Sequence, residues 1–351
     1  MAMLAGSVEV VIGVDTHKQT HTAAVLAAVT SRTLATLTVA ATPHGYQQLL
    51  ELADQHHGQR VWAVEGTGGY GAGLTRFLDA NAEQVVELDR PRRAARRHGA
   101  KSDPLDAVRA ARQVLGREHL AQPRATGPRA ALSVRLAARR SAVQAAGDAQ
   151  RQLQALVIAA PEVLRERLRI RSTRQLVAAC GRLRIQASWD VETTTTAATL
   201  RSLARRIREL TAEATAHRQA ILELVRAWRP DLLARPGVGP IVAATVLCTW
   251  SHRGRCRSDA AFAMLGGAAP IPASSGQTIR VRLNRSGDRQ LNQALYTVVL
   301  TRLRTDPVTH AYAQRRRAQC KTNREIKRCL VRYVARQLYR LLETQPALDA
   351  T

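Results

Sequence analysis

Apolar residues dominate Val8–Val14, and the run closes on Asp15 in VVIGVDTHK, a pattern that predicts a buried strand. Thr22–Val29 and Thr33–Ala40 follow as apolar or alternating runs separated by Thr30, Ser31 and Arg32, which makes the opening a three-strand meander. Thr42 stands at the N-cap position of a helix carrying Tyr46, Leu49, Leu50 and Leu52. A fourth strand, Arg60–Val64, closes on Glu65 in VWAVEGTGGY. A helix over Leu74–Leu78, a fifth strand over Gln84–Leu88 and a helix over Pro104–Leu115 complete the series. Across residues 130–230, where Gly and Pro are sparse, the apolar period lengthens to three and four. Leu203, Ile207, Leu210, Ala214, His217, Ile221, Leu224 and Trp228 form a seam of about four heptads. Leu132, Leu136, Val143, Ala146, Leu153 and Val157 form a weaker one. Helices with such seams pair either between chains, as a dimerisation arm, or within one chain. His217 reads as a polar residue that sets the register.

Three antiparallel strands followed by alternating helices and strands is the element order of a ribonuclease H-like α/β domain. There, the acid closing the first strand lies beside the acid closing the fourth. At 351 residues the chain exceeds the usual single-domain size. The expected organisation is an α/β catalytic domain over residues 1–125, a helical coiled-coil connector over 126–229 and a helical domain over 230–345.

Asp103 and Asp106, in KSDPLDAVRAAR, share one face of the last helix of the first domain. Asp103 before Pro104 also fits an N-cap, and Asp106 fits the positive end of the helix dipole, so capping accounts for this pair by itself. It does not account for Asp15 and Glu65 at the ends of buried strands, where a charge needs a reason to be desolvated. Four carboxylates gathered without a cationic partner repel one another and call for a hard divalent ion. Mg²⁺, with its preference for oxygen, is the expected cofactor.

Composition selects the substrate class. The chain carries 53 Lys+Arg against 27 Asp+Glu, a formal +26 that points to nucleic acid. Residues 1–100 hold nine basic and nine acidic side chains, so the whole excess lies in residues 101–351. Five of those nine basic residues stand between Arg90 and Arg97. A GC-rich genome explains the dominance of Arg over Lys but not the shortage of acids. Aromatic residues make up 3% of the chain, which disfavours a single-strand binder built from stacking platforms. The five cysteines, Cys180, Cys248, Cys256, Cys320 and Cys329, form no CxxC pair and no zinc spacing, as suits a reducing compartment. No charged leader opens the chain, and no apolar run reaches the roughly 18 residues that span a bilayer. A soluble, cytoplasmic protein is expected.

Two turns in the last third carry further chemistry. Arg235-Pro-Gly-Val-Gly-Pro, leading into an apolar helix, resembles the hairpin of helix-hairpin-helix DNA-binding motifs. Gly237 and Gly239 would admit a phosphate close to backbone N–H groups, with the helix dipole behind them; a plain helix-connecting turn has the same composition. Ala273-Ser274-Ser275-Gly276 is followed by Arg280, Arg282, Arg285 and Arg289. A loop hydroxyl beside guanidinium groups suits a phosphate-attacking serine, although serines also simply populate turns. Arg315–Arg317 with Lys321, Arg324, Lys327 and Arg328 reads as general backbone contact or a solvated face.

Taken together, GVDTHK, VEGTGGY and KSDPLDA, with PGVGPIVAATVL, LGGAAPIPASSGQT and GDRQLNQAL, resemble the DEDD-type bacterial insertion-sequence transposases, the group that includes the Piv-type DNA invertases. The likeness runs from about Val10 to about Leu342. It implies a RuvC-like domain, a coiled-coil connector and a helical transposase domain, assembled as homodimers or homotetramers on DNA. It also implies strand exchange by a serine nucleophile, mapped onto Ser275 with Ser274 as competitor. Mg²⁺ would be held by Asp15, Glu65, Asp103 and Asp106 of a partner subunit. The family's better-studied members choose their DNA through a structured noncoding guide RNA, called a bridge RNA or seekRNA. The alternative is a Holliday-junction-resolvase-like nuclease that directs water at the phosphate and leaves Ser275 a bystander. A noncatalytic nucleic-acid scaffold would leave the four acids dispensable.

Overall fold

Val10–Thr16 (β1), Thr20–Ala27 (β2) and Thr33–Ala40 (β3) pair as an antiparallel meander, as the alternating runs require. Thr42 accepts a hydrogen bond from the Gly45 N–H at 3.3 Å and so starts α1 (Pro43–Asp54). The chain then returns on the other side of β1 as β4 (Arg60–Glu65), passes through α2 (Ala72–Ala80), and adds β5 (Val85–Leu88); both strands lie parallel to their neighbours. The sheet order is β3-β2-β1-β4-β5, with α3 (Asp103–Leu115) against it. The computed structural model describes residues 7–88, 102–117, 120–169, 172–274, 276 and 281–344, apart from the side chain of Val281. They form two compact units, residues 1–126 and 127–351.

Side-chain parity divides the sheet into two faces. Val10, Ile12 and Val14 of β1 and Trp62 and Val64 of β4 pack with Leu49 and Ala53 of α1 and Leu74 and Leu78 of α2. Val11 of β1, Val61 and Ala63 of β4, and Ala24 and Leu26 of β2 pack with Ala107, Ala110, Ala111 and Val114 of α3. Small residues bring this helix close: a Cβ on Gly13 would lie 2.1 Å from the Ala107 carbonyl oxygen and 2.6 Å from the Ala111 nitrogen. Asp15 and Glu65 follow in the parity of Val11 and Val61, so both stand on the α3 face.

Strand boundaries differ from the sequence expectation by about two residues. Asp15 and Thr16 continue the ladder opposite Thr22 and His21, extending β1 to Thr16 and starting β2 at Thr20. Val29 is exposed in the turn rather than in a strand. At α3, Ser102 takes the extended N-cap conformation and Asp103 is already helical. Asp103 is therefore not the cap.

The second unit begins with α4 (Gly127–Ala159), continues through α5 (Glu162–Arg167) and α6 (Thr173–Gly181), and returns along α7 (Val191–Trp228). Leu132 near the start of α4 shares a core with Ile221 and Val225 near the end of α7. Ala149 and Leu153 share another with Leu200, Leu203 and Ile207, so the two long helices lie antiparallel within one chain. Between these cores Leu210, Ala214 and His217 are half-buried, and Arg135 and the His217 Nδ1 face each other across the pair at 3.3 Å.

The remaining elements are α8 (Pro230–Leu233), α9 (Pro240–Trp250), α10 (Asp259–Leu265), the two-residue strands β6 (Ile271–Pro272) and β7 (Val281–Arg282), α11 (Arg289–Thr305), α12 (Pro307–Ala318) and α13 (Asn323–Thr344). Trp250, Phe262, Leu295 and Leu338 belong to their common core. Arg229, 2% exposed, bridges the ends of this chain segment. It donates to both Asp231 carboxylate oxygens at 2.8 and 2.7 Å and to the carbonyls of Leu341 and Leu342 at 2.9 and 3.2 Å. No helix among the described residues is long and apolar enough to cross a membrane.

Gly13→Ala should cost the first unit roughly 3 kcal/mol, read as a lower urea midpoint, because the added methyl meets helix backbone rather than a yielding side chain. Arg229→Ala should destabilise the second unit by roughly 3–5 kcal/mol, since Asp231 and two helix-end carbonyls lose their buried partner. An unchanged midpoint in either variant would contradict the packing described.

Candidate active site

The ends of β1 and β4 are held together before any acid is considered. The Thr16 hydroxyl donates to the Glu65 carbonyl at 2.9 Å, and Gly66, with φ of +68°, turns the chain away directly after Glu65. Val14 is in register with Val64, so Asp15 and Glu65 follow as neighbours on adjacent parallel strands. The seat of α3 at Gly13 brings the helix's first turn, with Asp103 and Asp106, to the same edge.

The electrostatics report this convergence. The Asp15 side chain is 14% exposed, and its carboxyl is held above the usual range. Burial is the largest cause; the charges of Asp103, Asp106 and Glu65 push the same way, and His17 opposes them. The Asp106 carboxylate accepts from Arg109 at 2.7 Å, one turn along α3. His17 is the addition to the set that the sequence pattern marks only by its alternation with Asp15. Its Nδ1 lies 3.7 Å from Asp15 Oδ2 and 3.9 Å from Asp103 Oδ2. One donor atom from each of Asp15, His17 and Asp103 falls within 4.8 Å of the others. Carboxylates whose charges raise the proton affinity of Asp15, on a half-open strand edge, make a donor set suited to a divalent cation. The residues fit such an ion in part: Asp15 and Asp103 offer oxygen with His17 beside them, while Glu65 and the Arg109-paired Asp106 stand outside this close set and act on Asp15 through their charge.

The other candidate residues lie in the second unit. Ser275 and Arg280 lie outside the described residues. Ser274 and Gly276, the latter with φ of +54°, belong to the segment between β6 and β7, whose register pairs Ile271 with Arg282. The base of this hairpin is rigidly built. Asn284 is buried and donates to the Met264 carbonyl at 3.4 Å, while its Oδ1 accepts from the Ser286 N–H and hydroxyl at 3.0 and 2.6 Å. Gly287 is required there, with φ of +102° and a would-be Cβ 2.6 Å from the Leu265 carbonyl oxygen. Asp288 caps α11, and Asn292 donates to the Gly266 carbonyl at 2.7 Å, which accounts for much of the GDRQLNQAL motif. Arg282, Arg285 and Arg289 are exposed around this base.

At the PGVGP turn, Arg235 is exposed, and Gly239 stands at the N-cap of α9 with open space where a side chain would be. Gly237 has φ of +77° and approaches α11, its would-be Cβ 3.0 Å from the Val298 carbonyl oxygen. Its conformation is thus explained by helix packing. The element before the turn, α8, is a single helical turn.

An acid-lined edge on the central strands of a β3-β2-β1-β4-β5 sheet, with many helices beyond it, fits the RuvC-like class of phosphoryl-transfer domains. Residues 12–160 match the family model of IS110-type DEDD transposases, and residues 231–314 match that of the IS116/IS110/IS902 transposase family. The chain belongs to this IS110 family of insertion-sequence transposases. It is 32% identical over 114 residues to the 43.6 kDa protein of insertion element IS110 from Streptomyces coelicolor. It is 31% identical over 113 residues to the 42 kDa protein of insertion element IS900 from Mycobacterium paratuberculosis. Each alignment spans 32% of this chain and 28% of the relative.

Asp15→Asn is expected to separate stability from metal binding. A raised native pKa means the folded chain binds that proton more tightly than the unfolded chain, so stability falls as pH rises through that range. At neutral pH the ionised carboxylate opposes folding, and the amide should raise the metal-free thermal midpoint. The same variant should lose the upward shift that a divalent ion gives the wild type. Calorimetry with chelator and with added ion measures both; an undiminished ion-induced shift would remove Asp15 from the donor set.

Proposed function

We propose that the chain is an insertion-sequence transposase that breaks and rejoins DNA strands with Ser275 as nucleophile and the tetrad Asp15, Glu65, Asp103 and Asp106 holding Mg²⁺. The gathering of Asp15 and Asp103 with His17 at one sheet edge, where the charges of Glu65 and Asp106 are also felt, is the observation that supports this reading. Bound there, Mg²⁺ would offset the negative charge that develops on the phosphodiester oxygens. In the exchange, the Ser275 Oγ forms a bond to phosphorus, the bond from phosphorus to the departing sugar oxygen breaks, and the serine proton goes to that oxygen. Attack by another strand's hydroxyl reverses these changes and reseals DNA without water. The exposed guanidinium groups of Arg282, Arg285 and Arg289, with Arg280, are suited to hold the phosphodiester in place.

A structured noncoding RNA is the proposed guide, and a homodimer or homotetramer the proposed assembly. The +26 charge supports a chain that neutralises RNA and DNA together, and base pairing would supply the sequence choice. The test is a covalent-adduct assay with Mg²⁺, end-labelled element-junction DNA and RNA from the element's flank. Label should migrate with wild-type protein on a denaturing gel and be absent with Ser275→Ala. Asp106→Ala should reduce the adduct by orders of magnitude while retaining DNA binding. Free cleaved ends in both the wild-type and Ser275→Ala lanes, with no adduct, would instead establish a hydrolytic nuclease.

A further inference from the structure

Helices α11, α12 and α13 enclose a crevice of about 150 Å³ that the reaction above does not use. Its lining includes Val299, Arg302, Tyr312, Tyr333, Val334 and Gln337. Val299 and Val334 are buried and give it an apolar floor. Its rim is open: Val308 is 78% and Tyr333 50% exposed, an unusual display of apolar surface in a chain with few aromatic residues. Tyr312 and Tyr333 meet edge-on, with ring centroids 5.7 Å apart and planes at 86°. Such a pair leaves ring face available for a third ring.

The polar groups around the crevice are cationic or neutral donors. Arg302 donates to the Gln337 Oε1 at 2.8 Å and to the Pro236 carbonyl at 2.9 Å, linking the crevice to the turn that carries Arg235. Gln337 keeps its amide nitrogen to offer as a donor. At the other end the Arg315 guanidinium lies over the Tyr312 ring, 5.5 Å from its centroid, and Arg316 and Arg317 follow on α12. The carboxylate nearest in sequence, Asp306, is engaged as the cap of α12, accepting from the Thr309 N–H at 3.0 Å. A cavity of this size is well below the roughly 300–1,000 Å³ of a cofactor cleft and suits a single flat ring. Guanidinium groups at both ends complement a ligand with negative charge on both sides of that ring.

We propose that this crevice receives one unpaired nucleobase of a DNA strand, stacked against Tyr333, with its polar edge toward Gln337 and Arg302 and its flanking phosphates toward Arg315 and Arg235. A base inside a duplex has both faces covered, so the site selects one that is bulged, mismatched or extruded. DNA is the occupant because it is the substrate class of the family to which the chain belongs, and the proposal rests on the reading of the chain as a DNA transposase.

The test measures binding of the full-length protein to a short matched DNA duplex and to the same duplex with one bulged adenine, by fluorescence anisotropy at fixed salt. The wild type should prefer the bulged duplex by roughly tenfold, the scale of one stacked base. Tyr333→Ala and Gln337→Ala should erase or reduce that preference and leave matched-duplex affinity unchanged, which also shows that the variants fold. Tyr333→Phe should retain it. Equal wild-type affinity for the two duplexes, or a preference that survives Tyr333→Ala, overturns the crevice assignment while leaving DNA binding intact. Binding to neither duplex overturns the DNA-binding reading itself. An RNA duplex of the same sequence, matched and with the same bulge, is measured alongside, and a stronger bulge preference in RNA than in DNA overturns DNA as the occupant.

Discussion

The acidic edge depends on how closely α3 can approach β1. A strand glycine opposite Ala107 and Ala111 removes the side-chain layer that separates a helix from a sheet, and the helix backbone comes into contact with the strand. The apolar face that seats the helix, from Ala107 to Val114, also fixes the height of its first turn. Asp103 and Asp106 are thereby held near Asp15 although like charges favour separation. Packing that is indifferent to charge thus imposes an arrangement that electrostatics opposes, and a cation bound there would relieve the resulting tension.

The plan of the first unit is legible in the sequence because β1, β2 and β4 are buried on both faces and read as continuous apolar runs. The parity that places Val11 toward α3 also places Asp15 and Glu65 there. Boundaries are harder to read, since Thr16, Thr20 and His21 complete the ladder with backbone atoms while their side chains suggest a turn. Asp103 before Pro104 has the composition of a cap, but the backbone gives that position to Ser102. The long seams reveal two helices without revealing the partner, because an apolar stripe is the same whether it meets its own chain or another. His17 escapes notice because its significance lies in the distance to Asp103, which is far away in sequence.

Net charge likewise mixes two uses of arginine. Arg229 lies buried between a carboxylate and helix-end carbonyls, and Arg336 and Arg340 converge on Asp259 at 2.9 Å each. Arg302 braces a turn against α13. These are structural ties that bind no phosphate by themselves. The surplus available to a polyanion is therefore smaller than the formal charge, and its exposed guanidinium groups are spread over several elements, among them α7, the base of the β6–β7 hairpin and α12.

The Arg229 bridge has a consequence for synthesis. Its acceptors on Leu341 and Leu342 lie more than a hundred residues downstream, so the guanidinium, already placed by Asp231, lacks its remaining partners until α13 has left the ribosome. The core that α9 and α11 share with α13 cannot be completed before α13 is made. A chain stopped inside α13 is left with an open core and with Arg229 lacking its two carbonyl partners. Protein quality control would meet it as an unfolded unit, and interrupted copies of the gene would yield little protein able to compete with the intact product for DNA.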